Sequence, residues 1–403
     1  MNNWTYTACK LALGAGLLQP GLSFALGIRI ADQDARATAR GNAFAATADN
    51  PSAIYYNPAG ISQLTNQQVR VGVYGIVLGS EYTSPTGRKS ETVGHVQALP
   101  QLYYVYHQEN SPLAFGLGVY SPYGLSLEWP QNTGFRTLAT EGRIGYFTAH
   151  PVVSWQVLPT LSLAAGPTFN YADTDLRRGI LGGNDQFRFT GHDWDPGFTL
   201  GAMWRPHEKH SFGLTYRSRT TQNFQGNAIT HLPPIRSATE TANAEFNFPQ
   251  NVVLGYSFRP TPDWNVEFDV DWTDWNSLNT VTLHKPSGDM KLPFNWRSSF
   301  FYEFGVTRQL GSGLALSAGY IYSENSVPDR DFSPLVPDSD RHIFSLGLGQ
   351  KNTSWNWDIA YQYAFSPTRR VDQSVSTSLV GESANGLYHY ASHAITISIG
   401  YTF

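Results

Sequence analysis

Seven charged side chains stand where chemistry could be done. Arg217, Arg219, Arg297, Glu267, Asp269, Asp271 and Glu303 occupy the polar positions of runs in which apolar and polar residues alternate. Alternation sends successive side chains to opposite faces of a strand, so these seven are expected to share one face. Two chemistries fit them. Guanidinium and carboxylate groups that face each other tie two parts of a protein together as an ion network. A cation left over, Arg297 in particular, would grip an anionic head group by charge-assisted hydrogen bonds.

Catalytic layouts are missing from the chain. It has no G-x-S-x-G elbow, no Walker loop, no H-E-x-x-H and one cysteine, Cys9. His207 and His210 flank a turn, which suits solvent better than a metal. His389 and His393 share a strand face but lie about 13 Å apart, too far for one ion. The pairs Asp329/Asp331 and Asp338/Asp340 fall in one loop, where they are either solvated or take calcium or another divalent ion. The expectation is a protein that is not an enzyme and has no cofactor and no resident metal.

What positions these residues is a sheet. Only 14% of the 403 residues are charged and 14% are aromatic, against about 25% charged in soluble domains. Mean hydropathy is nevertheless −0.30, so no chain of apolar membrane helices is present. So many aromatic residues argue against disorder. A net charge of −4 and a pI near 6.2 argue against nucleic acid as a partner. Residues 1–25 read as a signal peptide, with Lys10, an apolar stretch from Leu11 to Leu22, and the small residues Ser23 and Ala25 at the cleavage positions.

From residue 67 the period is two. Ile395, Ile397, Ile399, Tyr401 and Phe403 alternate with Ala394, Thr396, Ser398, Gly400 and Thr402; Val266, Phe268, Val270 and Trp272 alternate with Glu267, Asp269, Asp271 and Thr273. Apolar residues facing lipid and polar ones facing a wet lumen describe an outer-membrane barrel. Fourteen strands are expected over residues 67–403, joined alternately by turns of about four to six residues and loops of about thirteen to twenty-three, such as 174–193, 225–243 and 366–388. An even strand number puts both termini in the periplasm. Tyr103, Tyr104, Trp204, Trp264, Trp275, Tyr320, Tyr322 and Trp355 are expected at the two membrane interfaces. Residues 26–66 do not alternate. Ala35 to Ala48 reads as helix, and the segment is expected to sit in the lumen as a hatch.

Several separated motifs then bear on the family. The stretch GNAFAATADNPSAIYYNPAGIS (41–62) is followed by GLGVYSPYGLSLEW (116–129), the run from Trp194 to Ser218, Asn295-Trp296-Arg297, AGYIYSENSVPD (318–329) and VPDSDRH (336–342). In order and spacing these resemble the FadL/TodX outer-membrane transporters of long-chain fatty acids and other hydrophobic compounds. The resemblance implies an all-β, 14-stranded antiparallel barrel plugged by an N-terminal hatch, in the outer membrane of a Gram-negative bacterium. It implies capture of ligand between the third and fourth outer loops, where Ile180, Leu181, Ile229, Leu232 and Ile235 are the apolar candidates. Ligand would then enter a lumenal pocket that Leu26, Ile28 and Ile30 help to close and Arg297 serves. Exit would be sideways through a kink in the third strand. Pro122 lacks an N–H and Gly118 and Gly124 lack side chains, so the ladder can break near Ser121–Gly124, with Tyr123 in the break and Asn57, Pro58 and Ala59 of the hatch facing it. The implied partners are a hydrophobic ligand (fatty acid, alkane or arene), outer-membrane lipid and lipopolysaccharide, with the chain as a monomer. An open aqueous porin and a barrel enzyme are the rival readings.

Overall fold

The computed structural model describes residues 27–375 and 380–403. The expected leader and Leu26 lie outside the described residues.

The chain closes one antiparallel sheet of fourteen strands. The first strand, Asn66–Thr83, pairs with the second, Val96–His107, and with the last, Gly386–Thr402, so the sheet has no free edge. The third strand is in two pieces, Leu113–Tyr120 and Leu125–Glu128. Glu141–Leu158, Leu161–Arg178 and Gln186–His207 follow as the fourth to sixth. The seventh to tenth strands are also interrupted, and Leu314–Ser323, Arg341–Lys351 and Trp355–Phe365 complete the wall.

The alternation is inside-out relative to a soluble sheet. Ile395, Ile397 and Ile399 are exposed, whereas Ala394, Thr396 and Ser398 are buried. Exposed apolar residues make sense only against lipid. Trp204, Trp264, Trp355 and Tyr104 do face outward. Trp275 and Tyr103 do not. Both are buried in the lumen, Tyr103 donating its hydroxyl to the Gln33 carbonyl at 3.0 Å. Position near a strand end does not decide the face: Tyr103 alternates with the outward Tyr104, and Trp275 lies in a 3₁₀ turn, Trp275–Ser277, that leaves the ladder.

Loop lengths differ from expectation on the outer side. The fifth and sixth strands run on until only residues 179–185 connect them, and the seventh and eighth meet across residues 233–235. The alternating segments counted as loops are strands that rise past the membrane.

Residues 27–64 run inside the sheet and are almost wholly buried. Helix is limited to Ala35–Thr38 and Ala53–Tyr56, with a 3₁₀ stretch at Pro58–Gln63. The long helix expected from Ala35 fails because Gly41, Asn42 and Ala48 take positive φ, which breaks a right-handed helix. The wall makes room with glycine: a Cβ on Gly319 would lie 2.0 Å from the Gly41 nitrogen, and one on Gly213 2.1 Å from the Ala45 carbonyl.

Ionic and backbone contacts fix the hatch. Glu267, fully buried, pairs with Arg40 at 3.0 Å and accepts from the N–H groups of Ala46 and Thr47 at 2.7 and 3.1 Å. Asp269 accepts from the N–H groups of Phe44 and Ala45 at 2.9 and 2.8 Å. Removing one member of such a buried set costs about 3–5 kcal/mol. Glu267→Ala is therefore expected to loosen the hatch and raise single-channel conductance well above the wild-type level; unchanged conductance would show that Glu267 does not hold it.

The seam has its own anchor. The Phe403 N–H donates to the Gln67 carbonyl at 3.0 Å, and the Phe403 ring meets Tyr401, which meets Trp355. Deleting Phe403 should lower membrane yield and the heat-modifiable gel species, and normal levels of both would count against its role in closure.

Candidate functional site

The third strand carries the site's first feature. Its first piece pairs with the fourth strand as far as Tyr120↔Thr148, and its second resumes at Leu125↔Ile144. Four residues, Ser121–Gly124, thus stand opposite three, and pairing with the second strand has already ended at Val119↔Leu102. The backbone groups left over are taken by the N-terminal strap. Ile30 N–H donates to the Pro122 carbonyl and Gly124 N–H to the Ile28 carbonyl, each at 2.8 Å, around an antiparallel bridge from Arg29 to Tyr123. Gln33 donates its side-chain amide to the Ser121 carbonyl at 2.8 Å.

Side chains lock the strap to the opposite wall. Arg29 pairs with Asp271 at 2.5 Å and donates to Thr273 at 2.9 Å, all buried. Tyr123 reaches across the lumen and donates to the Pro249 carbonyl at 2.8 Å, its ring packed on Tyr146 and Phe248.

Above the strap, toward the long connections, lies a cavity of about 330 Å³. Ile28 and Trp296 form its floor. Gly27, at φ +62, supports that floor: a Cβ there would strike the rings of Trp296 at 2.5 Å and Trp275 at 3.0 Å. Phe187, Phe189, Phe224, Phe246, Ile144, Leu176 and Leu283 make the walls, and residues 331–336 the roof. Arg178 and Lys291 are the cations at its edge with Arg177. Arg177 is paired with Glu141 and Asp175. Arg178 has no carboxylate partner among the described residues. It donates to the Thr137 carbonyl at 3.3 Å and approaches the Met290 sulfur at 3.1 Å, and its buried Nε has no partner.

Set against the sequence, the site is reassigned in several places. Ile28 lines the cavity, while Ile30 lies on the other side of the strap against Tyr74, Ile76 and Leu99. Arg297 is exposed and absent from the cavity lining. Residues 294–298 leave the ladder, with Asn295 at φ +46, so Trp296 takes the inward place that simple alternation gave to Arg297. Arg219 likewise turns outward to Asp274 at 3.4 Å, because the seventh strand breaks at residues 218–219. Arg217 stays inside, stacked 4.2 Å over the Tyr55 ring.

The third and fourth outer connections are joined side by side. Gln186–His192 pairs with Gln225–His231, which zips the two hairpins into one sheet. Ile180 is half-buried on top of the core, Leu181 and Ile235 are exposed, and Ile229 and Leu232 lie outside the cavity lining. The turn that carries Ile180 and Leu181 is closed by Asp185. Burial alone would raise the Asp185 carboxyl, but Arg136 at 2.7 Å and the N–H groups of Ile180, Leu181 and Gly182 hold it well below the usual carboxylate range.

Nor do the hatch residues face the kink. Asn57 donates to the Ala202 carbonyl at 2.9 Å, and Pro58 fills the space over Gly201 in the sixth strand. The Ala59 carbonyl accepts from Ser154 at 3.2 Å. Gly118 instead receives Ile54, whose Cγ2 would lie 2.8 Å from a Cβ there. Gly118 is therefore a hatch contact, while Ser121, Pro122, Tyr123 and Gly124 form the break itself. The four loop aspartates do not converge. Asp329 pairs with Arg369, Asp331 accepts from Asn295, Asp338 pairs with Arg341, and Asp340 accepts from the Asn325 N–H. Of the lining residues that sequence reasoning left unassigned, Arg178, Phe187 and Phe189 sit on strand extensions counted as the loop 174–193, and Phe224 and Phe246 flank the extension counted as the loop 225–243.

A closed barrel with a bound hatch, an apolar lumenal cavity and a broken wall strand defines an outer-membrane transporter of hydrophobic compounds. Comparison with known proteins supplies the rest. The pattern of the family described as "Outer membrane protein transport protein (OMPP1/FadL/TodX)" matches residues 17–403, and the chain belongs to that family. The long-chain fatty acid transport protein of Escherichia coli K12 is 22% identical, over 82% of each chain. A Pseudomonas aeruginosa FadL homologue shares the fold at a TM-score of 0.85 and 19% identity, covering 94% of this chain and all of that one. The Pseudomonas putida toluene transporter TodX does so at 0.73 and 15%, covering 96% and 100%.

The strap–wall bridge can be tested directly. Directly opposed residues in an antiparallel pair have Cα atoms about 4.5–5.5 Å apart, within disulfide range. Ile30→Cys with Pro122→Cys should cross-link on oxidation and block uptake, and reduction should restore it. Full uptake by the oxidised form would show that the strap need not leave the break.

Proposed function

We propose that the chain carries long-chain fatty acids, or amphiphiles like them, across the outer membrane without acting on them chemically. The observation that supports this is Arg178, a cation with an unpartnered, buried Nε at the edge of a cavity otherwise walled by phenylalanine and leucine. A carboxylate on Arg178 with its chain along the phenylalanines satisfies both halves of the pocket. The reading takes the protein as a single-chain barrel in outer-membrane lipid. An uncharged alkane or arene is the second reading; the ring-rich wall favours it, and it leaves Arg178 unused.

Release sideways follows from energetics. A chain of sixteen carbons has about fourteen CH₂ groups at about 0.8 kcal/mol each, so delivery to water would cost about 11 kcal/mol. Delivery into the bilayer avoids that cost. In this reading the break at Ser121–Gly124 is the way out, and the strap is what must move.

The head-group assignment predicts a charge-selective loss. Arg178→Met should weaken palmitate binding by about 1.5–3 kcal/mol, the range for a hydrogen bond to a charged group, and leave hexadecane binding nearly unchanged. Arg297→Ala should affect neither. Equal loss of acid and hydrocarbon in Arg178→Met would assign Arg178 to holding the roof, and would favour the uncharged ligand.

A further inference from the structure

The wall that lines the cavity has another side. In the two rungs that join the upper parts of the eighth and ninth strands, Ala244↔Leu283 faces the cavity, so Asn243↔His284 faces outward. The turn after His284 folds over that outer face. The Ser287 N–H donates to Glu240 at 2.9 Å and pins it there. Between turn and sheet is an open cleft of about 700 Å³.

The cleft's chemistry is unlike the lipid-facing wall. Asn223, Gln225 and Asn243 line it, and their side-chain amides have no intramolecular partner among the described residues. Thr241 adds a hydroxyl, and at the turn stand Lys285, whose Nζ donates to Ser287 at 2.6 Å, and His284, whose Nδ1 lies 3.0 Å from the Asp289 carboxylate that also lines the cleft and whose Nε2 is left over. Three free amides and a hydroxyl converging on one concave surface match the alternating donors and acceptors of a saccharide. The remaining N–H groups of Lys285 and the Nε2 of His284, whose Nδ1 Asp289 holds, match a phosphate.

Height gives the occupant. Gln225 is opposite His192 on the sixth strand, two residues above Trp194. Trp194 is exposed and packs on Tyr171, as interface aromatics do. Two residues rise about 7 Å, so the cleft opens just above the acyl chains. The molecules that surround an outer-membrane barrel at that level are glycolipids with phosphorylated inner sugars. We propose that the cleft docks the phosphorylated inner-core saccharide of outer-leaflet lipopolysaccharide, with the amides on the sugar hydroxyls and Lys285 and His284 on the phosphate.

The probe is core oligosaccharide freed of lipid A, phosphorylated or enzymatically dephosphorylated, titrated into the purified full-length barrel by calorimetry. The wild type should bind the phosphorylated glycan saturably. Gln225→Ala with Asn243→Ala should weaken it at least tenfold, and Lys285→Gln with His284→Gln should reduce it to the level of the dephosphorylated glycan. Asn227→Ala, one outward position higher and off the cleft, should bind as wild type. Heat-modifiable mobility reports folding of every variant, and uptake of hydrophobic ligand should be unchanged in all of them. Absence of saturable binding, cleft variants that bind as wild type, or equal binding of both glycans would overturn the proposal.

Discussion

Inside hydrocarbon no water is available to a backbone N–H or C=O, so each must find a partner in the protein. The closed sheet meets that demand along most of its wall, and the break in the third strand is one that the hatch fills. Ser121–Gly124 step out of the ladder, and the groups set free are met by Ile28, Ile30 and Gln33. The strap is therefore a piece of wall as much as a piece of plug. Its position sets the cavity floor above it, the packing of Gly27 on two tryptophans, and the reach of Arg29 to Asp271.

The polar lumen follows a related rule. Buried charges are tolerable only when paired and hydrogen-bonded, and the wall supplies mostly carboxylates. The hatch answers with backbone N–H groups from Phe44 to Thr47 and with two arginines. Short turns suit this use, because they leave N–H groups unclaimed that a long helix would consume. The positive φ values at Gly41, Asn42 and Ala48 are what break the helix and turn those donors toward Glu267 and Asp269.

The fold was legible in the sequence because period-two alternation over fourteen segments suits little besides a sheet with lipid on one side and water on the other. The inward acids were legible for the same reason: Glu267, Asp269 and Asp271 lie in an unbroken run. The site was less so. Arg297, Arg219 and Trp275 each lie at an interruption, where parity resets without a sign in the residues themselves. Phe187 and Phe189 alternate cleanly, but they lie in a segment assigned to a loop, and Phe224 and Phe246 lie just outside another, where nothing in the residues themselves sets them apart from other inward strand positions. Asn57-Pro58 shows a further limit: a motif marks a turn, yet which of fourteen strands that turn touches is a matter of three-dimensional packing.

One set of contacts ties the hatch to the seam. Arg70, on the first strand, bonds Asp34 of the hatch and, at 2.7 Å, Asp358 of the thirteenth strand; the next hatch residue, Ala35, donates to Ser398 of the last strand at 3.0 Å. The hatch thus bridges both sides of the seam where the ends of the chain meet. Contacts that span the seam, together with glycine-deep contacts to the opposite wall, tie the hatch to both ends of the chain at once. A barrel closed without its hatch would be a hollow tube in which Arg70 and Asp358 face water and the Asp34 partner is lost.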